Sequence, residues 1–509
     1  MMTQPVSSAG HSLGSLLHGL PLSAPLSAAQ RQQPVSGLSS DSRRVRPGDL
    51  FIAESGLGRP GVDFAAAALD AGALAVLYDA ADGYARDRVA LLQRQYPGVW
   101  IGVTGLQARV GEIASRFHQH PSRAYALIGV TGTDGKTSVT HLLVQALSKL
   151  GRHPGSIGTL GYGQPGRLVP TGFTTPDALQ LQAQLAELRH QGSDVVVMEV
   201  SSHALDQHRV AGCAFDIAVL TNLGQDHLDY HGDRARYAAA KAKLFDCCEP
   251  RQQVLNLDDA LGRELAARRS AETVIGYSRR GDAAARVRLA DSAMEVRGLR
   301  ITVDCDGEVL DIQSALVGLF NVENLLAVIA VLRALDLPPR AIEAALQEVQ
   351  PVPGRMEFFP ARRGQPAVVI DFAHTEQALE ACLESLRAFC GGRLFCVFGC
   401  GGDRDRGKRP RMAAVAERLA DEVIVTDDNP RNEPPQQIMQ DILEGFADPQ
   451  RVRVIHDRQN AIETALEQAT ERDLVLIAGK GHEQVQIVGD RRLPFSDRRV
   501  VTHWLEGGA

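Results

Sequence analysis

The stretch GVTGTDGKTSVTHLL, from Gly129 to Leu143, follows an apolar run and opens a helical pattern. Gly132 and Gly135 let the backbone turn tightly, so that consecutive amides point at an anion where a helix begins. Lys136 can reach terminal phosphates, and the Thr137 hydroxyl can ligate a magnesium ion. The strict P-loop spacing fails, because valine replaces its first glycine. A glycine-containing turn with a surface lysine is the alternative, but the strand–loop–helix context favours nucleotide binding.

Polar residues follow three further apolar runs, VVVMEVSSH, AVLTNLGQDHLDYHG and VLNLDD. They bring Glu199, His227 and Asn256, among others, to predicted strand ends. Parallel sheets bind ligands at the carboxyl ends of their strands. Ser, Asn and Asp also cap helices and form turns, which is the alternative interpretation. Three such ends in succession favour a site.

Composition limits the classes of protein and partner. The chain has 509 residues, of which 44% are hydrophobic and 23% charged, enough for about three domains with ordinary cores. The formal charge of −7 shows no excess of basic residues of the kind that binds nucleic acid. No run approaches the ~20 apolar residues of a membrane span, and no secretory signal is visible. We therefore expect a cytoplasmic monomer that acts on small molecules.

The elements that would position these residues alternate between strand and helix patterns, which predicts an α/β fold with parallel sheets. Residues 1–122 read as loop-rich and Ala-rich, and further breaks divide the rest into 123–352 and 353–509. The predicted strands are 126–130, 194–200, 216–221, 253–257, 367–370, 394–398, 422–426, 452–455 and 473–477.

Eight ordered motifs resemble those of the Mur ligases of peptidoglycan synthesis: TGTDGKT, MEVSSH, TNLGQDHLDYHG with YAAAKAKLF, GLFNVENLLA, GRMEF, FGCGGDRDRGKRP, TDDNPR and AGKGHE. The resemblance implies three domains: an N-terminal UDP-substrate domain, a central P-loop ATPase domain with a parallel sheet, and a C-terminal Rossmann-like domain. It also implies an ATP-dependent ligase that adds meso-2,6-diaminopimelate to UDP-N-acetylmuramoyl-L-alanyl-D-glutamate through an acyl phosphate.

The resemblance further implies the residues that handle ATP and metal. Those for ATP are Gly132, Thr133, Asp134, Gly135, Lys136, Thr137, Ser138, Asn321 and Arg355. Magnesium ligands are Thr137, Glu199, His227 and Lys241, with Lys136, Lys241 and His227 catalytic. In the family the lysine equivalent to Lys241 carries a carbamate derived from CO2. From the sequence alone it reads as a solvated helix residue, and Lys243 fits that description equally well.

The remaining implied residues bind the two substrates that are joined. UDP-muramoyl-dipeptide would be held by Ser42, Thr174, Thr175, Ser201, Gln207 and Arg209. Diaminopimelate would be held by Arg404, Asp428, Asn429, Pro430, Arg431, Gly479 and Glu483. Diaminopimelate differs from lysine by one carboxylate, which a guanidinium can bind bidentately. The alternative is that DNPR forms only an Asx-Pro turn with a solvated arginine.

Two rival functions share parts of this pattern. Folylpolyglutamate synthetases have the same glycine loop and the same kind of metal site. The motifs TDDNPR and AGKGHE and the long N-terminal domain nevertheless favour the muramoyl substrate. A nucleotide-binding regulatory switch would not need a second Rossmann-like domain with its own arginine-rich strand ends. Phosphate release that requires both a UDP-muramoyl-dipeptide and an amino acid would distinguish a ligase from the switch.

Overall fold

The computed structural model describes residues 11–54, 59–295, 298–352, 354–387 and 390–507. The chain divides into two compact units. The first unit comprises Met1–Tyr277 and Ala330–Asp336, and the second comprises Ser278–Ile329 and Leu337–Ala509.

The N-terminal part of the first unit contains a small parallel sheet. The strands of this part are β1 His11–Ser12 and β2 Pro34–Val35, which form a separate antiparallel pair, and β3 Gly37–Ser39, β4 Asp49–Ala53, β5 Ala75–Asp79 and β6 Val99–Val103, which form the parallel sheet. Its helices are α1 Leu13–Leu16, α2 Ala28–Arg31, α3 Ala65–Asp70, α4 Gly83–Leu92 and α5 Val110–Phe117, with 3-10 turns at Ser42–Arg44, Gly61–Phe64, Leu106–Ala108 and Pro121–Arg123. Strands β3, β4, β5 and β6 pair in parallel in that order.

The expectation that residues 1–122 are loop-rich is wrong for this sheet. Leu50 and Ile52 of β4 pack into one hydrophobic cluster, whereas Phe51 and Ala53 pack into another. The strand is therefore buried on both faces and shows no polar alternation. A strand that short and that uniformly apolar carries little periodic signal.

A larger sheet forms the rest of the first unit. Its strands are β7 Ala126–Thr131, β8 Pro154–Gly158, β9 Gly161–Gly163, β10 Val195–Glu199, β11 Ile217–Leu220, β12 Gln252–Asn256 and β13 Val274–Ser278. Its helices are α6 Lys136–Lys149, α7 Ala178–His190, α8 Ser202–Asp206, α9 Leu228–His231, α10 Arg234–Asp246 and α11 Ala260–Ala267. The order is β13-β12-β11-β7-β10-β8-β9, and only the β8–β9 pairing within it is antiparallel over the described residues.

The strands predicted for this sheet are confirmed. Strands β7, β10, β11 and β12 match the predicted ranges to within one residue at each end. Because β7 lies between β10 and β11, the carboxyl ends of all three strands meet at one edge, directly around the glycine loop.

The second unit opens with an antiparallel meander that the sequence did not predict. The meander is β14 Val287–Glu295, β15 Gly298–Cys305 and β16 Glu308–Ser314, followed in the chain by helices α12 Phe320–Ala334 and α13 Pro339–Leu346. Helix α12 begins in the second unit, and its residues from Ala330 onward belong to the first. The remaining strands are β17 Glu357–Phe359, β18 Ala367–Asp371, β19 Leu394–Phe398, β20 Glu422–Val425, β21 Arg453–Val454, β22 Leu474–Ala478, β23 Val485–Val488 and β24 Arg491–Pro494. The remaining helices are α14 Glu376–Arg387, α15 Lys408–Leu419, α16 Pro435–Leu443, α17 Arg458–Gln468 and α18 Asp497–Leu505, with a 3-10 turn at Pro449–Arg451.

The sheet of the second unit has the order β17-β18-β22-β19-β20-β21 and is parallel apart from β17. Separate hydrophobic clusters cover its two faces. This arrangement confirms the predicted α/β class with parallel sheets. Among the described helices, none combines the length and apolar character needed to cross a bilayer.

Candidate active site

The glycine loop between β7 and α6 is a tight turn that only small residues can form. Gly132 and Gly135 have φ values of +153° and +82°. A Cβ on Gly132 would collide with the Thr221 hydroxyl at the end of β11. The Asn222 side chain accepts a hydrogen bond from the Asp134 amide at 3.0 Å. The loop is therefore held in shape by the neighbouring strand end.

Lys136 is the first residue of α6, and its ammonium lies against this loop. Nζ donates to the carbonyls of Gly132 at 2.9 Å and Thr133 at 2.7 Å. Ser138 lies in the same first helical turn, and the Asp134 side chain is exposed. A helix N-terminus with a lysine beside glycine amides is a suitable site for the phosphates of a nucleotide.

Glu199, the last residue of β10, is buried and receives several hydrogen bonds. The Thr137 hydroxyl donates to Oε2 at 2.8 Å, and the Thr159 amide donates to Oε1 at 2.8 Å. The Thr159 hydroxyl also contacts the Thr174 hydroxyl at 3.1 Å. Sequence reasoning missed Thr159, although it follows strand β8 in the same way that the predicted residues follow theirs.

A magnesium ion fits the oxygen donors at this point. Hydroxyl and carboxylate oxygens are the ligands that Mg²⁺ prefers, and Thr137 and Glu199 supply both types side by side. A cavity of about 120 Å³ is lined in part by these two residues. In the part of the chain that the structure describes, no three His, Cys, Asp or Glu side chains form a ready-made metal cluster.

Lys241 is a buried residue of α10, not the solvated residue that the sequence alone suggested. It is 1% exposed, and its Nζ donates to the Gly132 carbonyl at 2.7 Å. The Tyr237 ring lies 4.4 Å from Nζ. Burial, followed by the nearby Lys136 cation, shifts the pKa of Lys241 well below its usual value. Lys243 instead pairs with Asp206 at 2.7 Å and is 34% exposed. The two lysines are thus clearly different.

His227 lies on the loop after β11, where its φ of +54° is unusual for a residue other than glycine. Its Nε2 is 3.3 Å from Asp226 Oδ2, and its ring stacks edge-on with His203 at 4.7 Å. The side chain is 48% exposed. That His227 and Lys241 join Thr137 and Glu199 around one cation stays a prediction.

Four of the residues predicted for the muramoyl substrate form one connected group. The Thr175 hydroxyl donates to the Glu199 carbonyl at 2.8 Å and accepts from the Ser201 amide. Arg209 donates to the Thr175 carbonyl at 2.9 Å and to Gln207 Oε1. This group is therefore attached directly to the strand that carries the buried glutamate.

Two of the predicted residues take other positions in the first unit. Ser42 lies half-buried in the 3-10 turn that follows β3. At the end of β12, Asn256 is an internal anchor, because its amide donates to the buried Thr221 carbonyl at 2.8 Å. This bond gives Asn256 a structural role at the end of β12.

In the second unit, two arginines lie around the glycines after β19. A Cβ on Gly401 would be 2.8 Å from Arg431 Nη1 and 3.8 Å from Arg404 Cγ. Arg431 Nη1 donates to the Gly402 carbonyl at 2.8 Å, whereas Arg404 is exposed. Burial and the neighbouring Arg404 cation lower the pKa of Arg431. Arg431 is thus partly buried and bonded to the loop after β19, and whether it binds an anionic ligand stays a prediction.

The other predicted residues of this unit lie next to the arginines. Asp428 is buried, and its Oδ2 would be 2.7 Å from a Cβ on Gly479, whose φ is +112°. Asn429 Nδ2 donates to Glu483 Oε2 at 2.8 Å. Pro430 connects these residues to Arg431. The carboxyl ends of β20 and β22 thus bring the DNPR and AGKGHE motifs together.

A buried ion pair that the sequence did not reveal fixes the same loops. Arg409 of α15 is fully buried and binds Glu433 through both terminal nitrogens at 2.8 and 2.7 Å. Arg409 Nη2 also donates to the Gly401 carbonyl, and the Asp403 amide donates to Glu433. This bidentate pair connects the loop after β19 to the residues that follow DNPR.

We expect acid to destabilise the second unit through this pair. Arg409 lowers the pKa of Glu433 to about 2. An unfolded glutamate titrates near pH ~4.3, so the stabilisation is present above that pH and is lost as the pH falls towards 2. Glu433→Gln should lower the melting temperature at neutral pH by several degrees and flatten its decline in this acid window. Thermal scans across pH measure both effects, with the exposed Glu467→Gln as control. Parallel curves for wild type and Glu433→Gln would contradict the assignment.

Asn321 and Arg355, which were both predicted to contact ATP, differ in the contacts that they make. Asn321, in the first turn of α12, donates to the Val317 carbonyl at 2.7 Å and accepts from Asn324. The Arg355 guanidinium lies 4.4 Å from the Phe372 ring, and its Nε is buried without a hydrogen-bond partner among the described residues. Asn321 thus has local structural bonds, whereas Arg355 has a donor to offer. Contact of either with ATP stays a prediction.

Comparisons with known proteins agree with this geometry. The sequence matches three family descriptions in succession: "Mur ligase family, catalytic domain" over residues 34–118, "Mur ligase middle domain" over 130–332, and "Mur ligase, glutamate ligase domain" over 354–481. The UDP-N-acetylmuramoyl-L-alanyl-D-glutamate--2,6-diaminopimelate ligase of Xanthomonas campestris pv. campestris (strain 8004) is 51% identical over 479 residues, which is 94% of this chain and 95% of the relative.

Solved structures extend the comparison. A structure of a UDP-N-acetylmuramoyl-L-alanyl-D-glutamate--2,6-diaminopimelate ligase has a TM-score of 0.70 and 36% identity, covering 98% of this chain and 99% of that one. A Mycobacterium tuberculosis folylpolyglutamate synthase has a TM-score of 0.60 and 22% identity, covering 77% of this chain and 95% of that one, which shows a shared fold alone. The identity and coverage of the first relative establish that this chain belongs to the Mur ligase family.

Proposed function

We propose that this chain is the ATP-dependent ligase that adds meso-2,6-diaminopimelate to UDP-N-acetylmuramoyl-L-alanyl-D-glutamate in peptidoglycan precursor synthesis. The observation that carries the proposal is the hydrogen bond from the Thr137 hydroxyl to Glu199, next to a glycine loop to which Lys136 donates. Relatives with this activity, 51% identical in one case, support the choice of substrates. Phosphate release should require the UDP-linked dipeptide and the amino acid together, and release without either one would contradict the proposal.

The domain boundaries are part of this proposal. We assign residues 1–122 to the UDP-substrate domain, 123–352 to the ATPase domain and 353–509 to the amino-acid domain. The three matched family ranges fall within these limits, which supports them. A monomer acting in the cytoplasm on small molecules, without nucleic acid, completes the proposal.

The reaction needs an activated carboxylate. The substrate carboxylate oxygen attacks the γ-phosphorus of ATP, so the bond to ADP breaks and an acyl phosphate forms. The amine of the amino acid then attacks the acyl carbon, inorganic phosphate leaves with the bonding electrons, and the amine loses a proton. Lys136 and the glycine-loop amides would hold the phosphates in line, because both lie at the N-terminus of α6.

Cations are needed because the site gathers several anions. Two like charges at 4 Å repel by roughly 4 kcal/mol at an effective dielectric of 20. Thr137 and Glu199 would hold Mg²⁺, with His227 and a carbamate on Lys241 as further ligands. Magnesium would neutralise developing charge on the transferred phosphoryl group. The burial of the Lys241 amine supports this role, since a neutral amine is the form that adds CO2.

The arginine pair supports diaminopimelate as the amino acid. Arg431 and Arg404 both lie against Gly401, and Glu483 lies in the loop after β22, where it bonds to Asn429. The guanidinium groups suit the distal carboxylate, and Glu483 suits the distal ammonium. L-Lysine has no distal carboxylate, so it would give the half-buried Arg431 no substrate anion to bind.

We expect wild type to use diaminopimelate in strong preference to L-lysine, and Arg431→Ala to lose most of that preference. One charge-assisted hydrogen bond contributes ~1.5 to 3 kcal/mol, so kcat/KM for diaminopimelate should fall roughly ten- to a hundred-fold. Arg431→Lys keeps the charge without the bidentate geometry and should be intermediate. Kinetics with both amino acids measure the ratio.

Arg453→Ala removes an exposed arginine from edge strand β21 and serves as the control. Equal use of the two amino acids by wild type would contradict the specificity while leaving a ligase activity intact. Full discrimination by Arg431→Ala would show that another group binds the distal carboxylate.

A further inference from the structure

A fully buried lysine lies behind the residues proposed to bind the amino acid. The Lys480 side chain is 0% exposed, and its Nζ donates to Asn429 Oδ1 at 3.0 Å and to Glu483 Oε2 at 2.8 Å. Asn429 and Glu483 also bond to each other at 2.8 Å. The three side chains form a closed triangle. Neither the family resemblance nor the reaction above gives Lys480 a role.

The lysine determines which way the Asn429 amide faces. Asn429 Oδ1 accepts from the Lys480 ammonium and from the Ile487 amide at 2.9 Å, while Nδ2 donates to Glu483. An asparagine amide has two acceptor sites on oxygen and two protons on nitrogen. Within the described part of the chain, both acceptor sites of the oxygen are therefore occupied and Nδ2 makes one bond, so one Nδ2 proton is left for a ligand. Rotating the amide would set its NH2 group against the Lys480 cation, which can only donate.

The lysine also determines what Glu483 offers. Glu483 Oε2 accepts from both Lys480 and Asn429, so Oε1 is the oxygen left for a ligand ammonium. The Glu483 side chain is 30% exposed, whereas Lys480 is buried behind it. The Lys480 cation compensates the carboxylate charge, so Glu483 can bind an ammonium without strongly repelling a carboxylate held by Arg431 beside it.

We propose that Lys480 is a positioning residue for the amino-acid substrate, which orients Asn429 and Glu483 so that one amide proton and one carboxylate oxygen face the zwitterionic end of a diamino dicarboxylic acid. This inference rests on the proposed function. The inference goes beyond the proposed function because it assigns the orientation of the amino-acid substrate to a residue that does not touch the substrate.

The test compares Lys480→Met and Lys480→Gln with wild type. Methionine keeps the volume of the stem, and each partner retains one other hydrogen bond, so the fold should persist. For Lys480→Met we expect KM for meso-diaminopimelate to rise roughly tenfold or more, with KM for ATP and for the UDP-linked dipeptide within a factor of about two. Lys480→Gln retains a donor and should be intermediate. Lys149→Met, at the exposed end of α6, controls for loss of a lysine charge.

A double-mutant cycle separates positioning from general stability. If Lys480 acts by orienting Glu483, Lys480→Met combined with Glu483→Gln should raise KM for diaminopimelate little more than Glu483→Gln alone. Additive effects, or equal changes in all three KM values together with a lower melting temperature, would overturn the inference. If Lys480→Met does not fold, Lys480→Gln carries the same comparison. Wild type that fails to use diaminopimelate would contradict the proposed function itself, a result that is distinguishable from these.

Discussion

Lys136→Ala should reduce ligase turnover by about a thousand-fold, because removing one preorganised donor from a developing negative charge has effects of this order. The ammonium lies at the N-terminus of α6 and donates to the carbonyls of Gly132 and Thr133. Both bonds are only partly buried, so water can replace the ammonium at the two carbonyls and the variant should remain folded. The loss should therefore appear in phosphoryl transfer and not in stability.

Steady-state phosphate release with all substrates present measures the effect, and circular dichroism with a melting curve checks the fold. Lys149→Ala is the matched control, since it removes a lysine from the exposed C-terminal end of the same helix. Lys136→Arg keeps the charge in a different shape and should recover only part of the rate. A purified, folded Lys136→Ala protein with near-normal turnover would show that the glycine loop does not bind the transferred phosphates.

The phosphate loop could be predicted from the sequence because its chemistry is local. Two glycines, a lysine and a threonine follow one strand and begin one helix, so neighbouring residues carry the whole signal. The ends of β10 and β11 could be predicted for a related reason. Both strands are apolar runs in a parallel sheet, and the residues after such runs meet at one edge whatever the strand order.

The residues that the sequence missed depend on contacts between distant segments. Thr159 reaches Glu199 across 40 positions, and Lys480 reaches Asn429 across 51. The small N-terminal sheet was missed for another reason, since its strands have only three to five residues and lie among alanine-rich and turn-forming segments. The sequence pattern also could not show which side chains are buried. Lys241 and Lys243 are two positions apart on one helix, and only packing shows which of them faces the interior.

The difference in burial between Lys241 and Lys243 leads to the second substitution for which we expect a large effect. Lys241→Ala should be nearly inactive, with turnover reduced by roughly a thousand-fold, because the carbamate that we propose on Lys241 would supply a charge that no ordinary side chain at this position can place. Short carboxylic acids such as formate or acetate should restore part of the rate by filling the vacated space with a carboxylate. Lys243→Ala should behave like wild type, since its partly exposed pair with Asp206 contributes ~0 to 1 kcal/mol.

The pair of variants is informative because burial alone could also make Lys241 important. Lys241→Met keeps most of the buried volume and loses the bond to the Gly132 carbonyl, so it tests packing separately from charge. If packing were the cause, Lys241→Met would be active and acids would rescue nothing. Incubation of wild type with ¹³C-bicarbonate should give a carbamate NMR signal that Lys241→Met lacks and Lys243→Ala retains. Two results would contradict the assignment: equal kinetic losses at the two lysines, or a carbamate signal that persists in Lys241→Met. Either result would place the carbamate elsewhere or exclude it. The amine beside the phosphate loop would then not be the group that reacts with CO2.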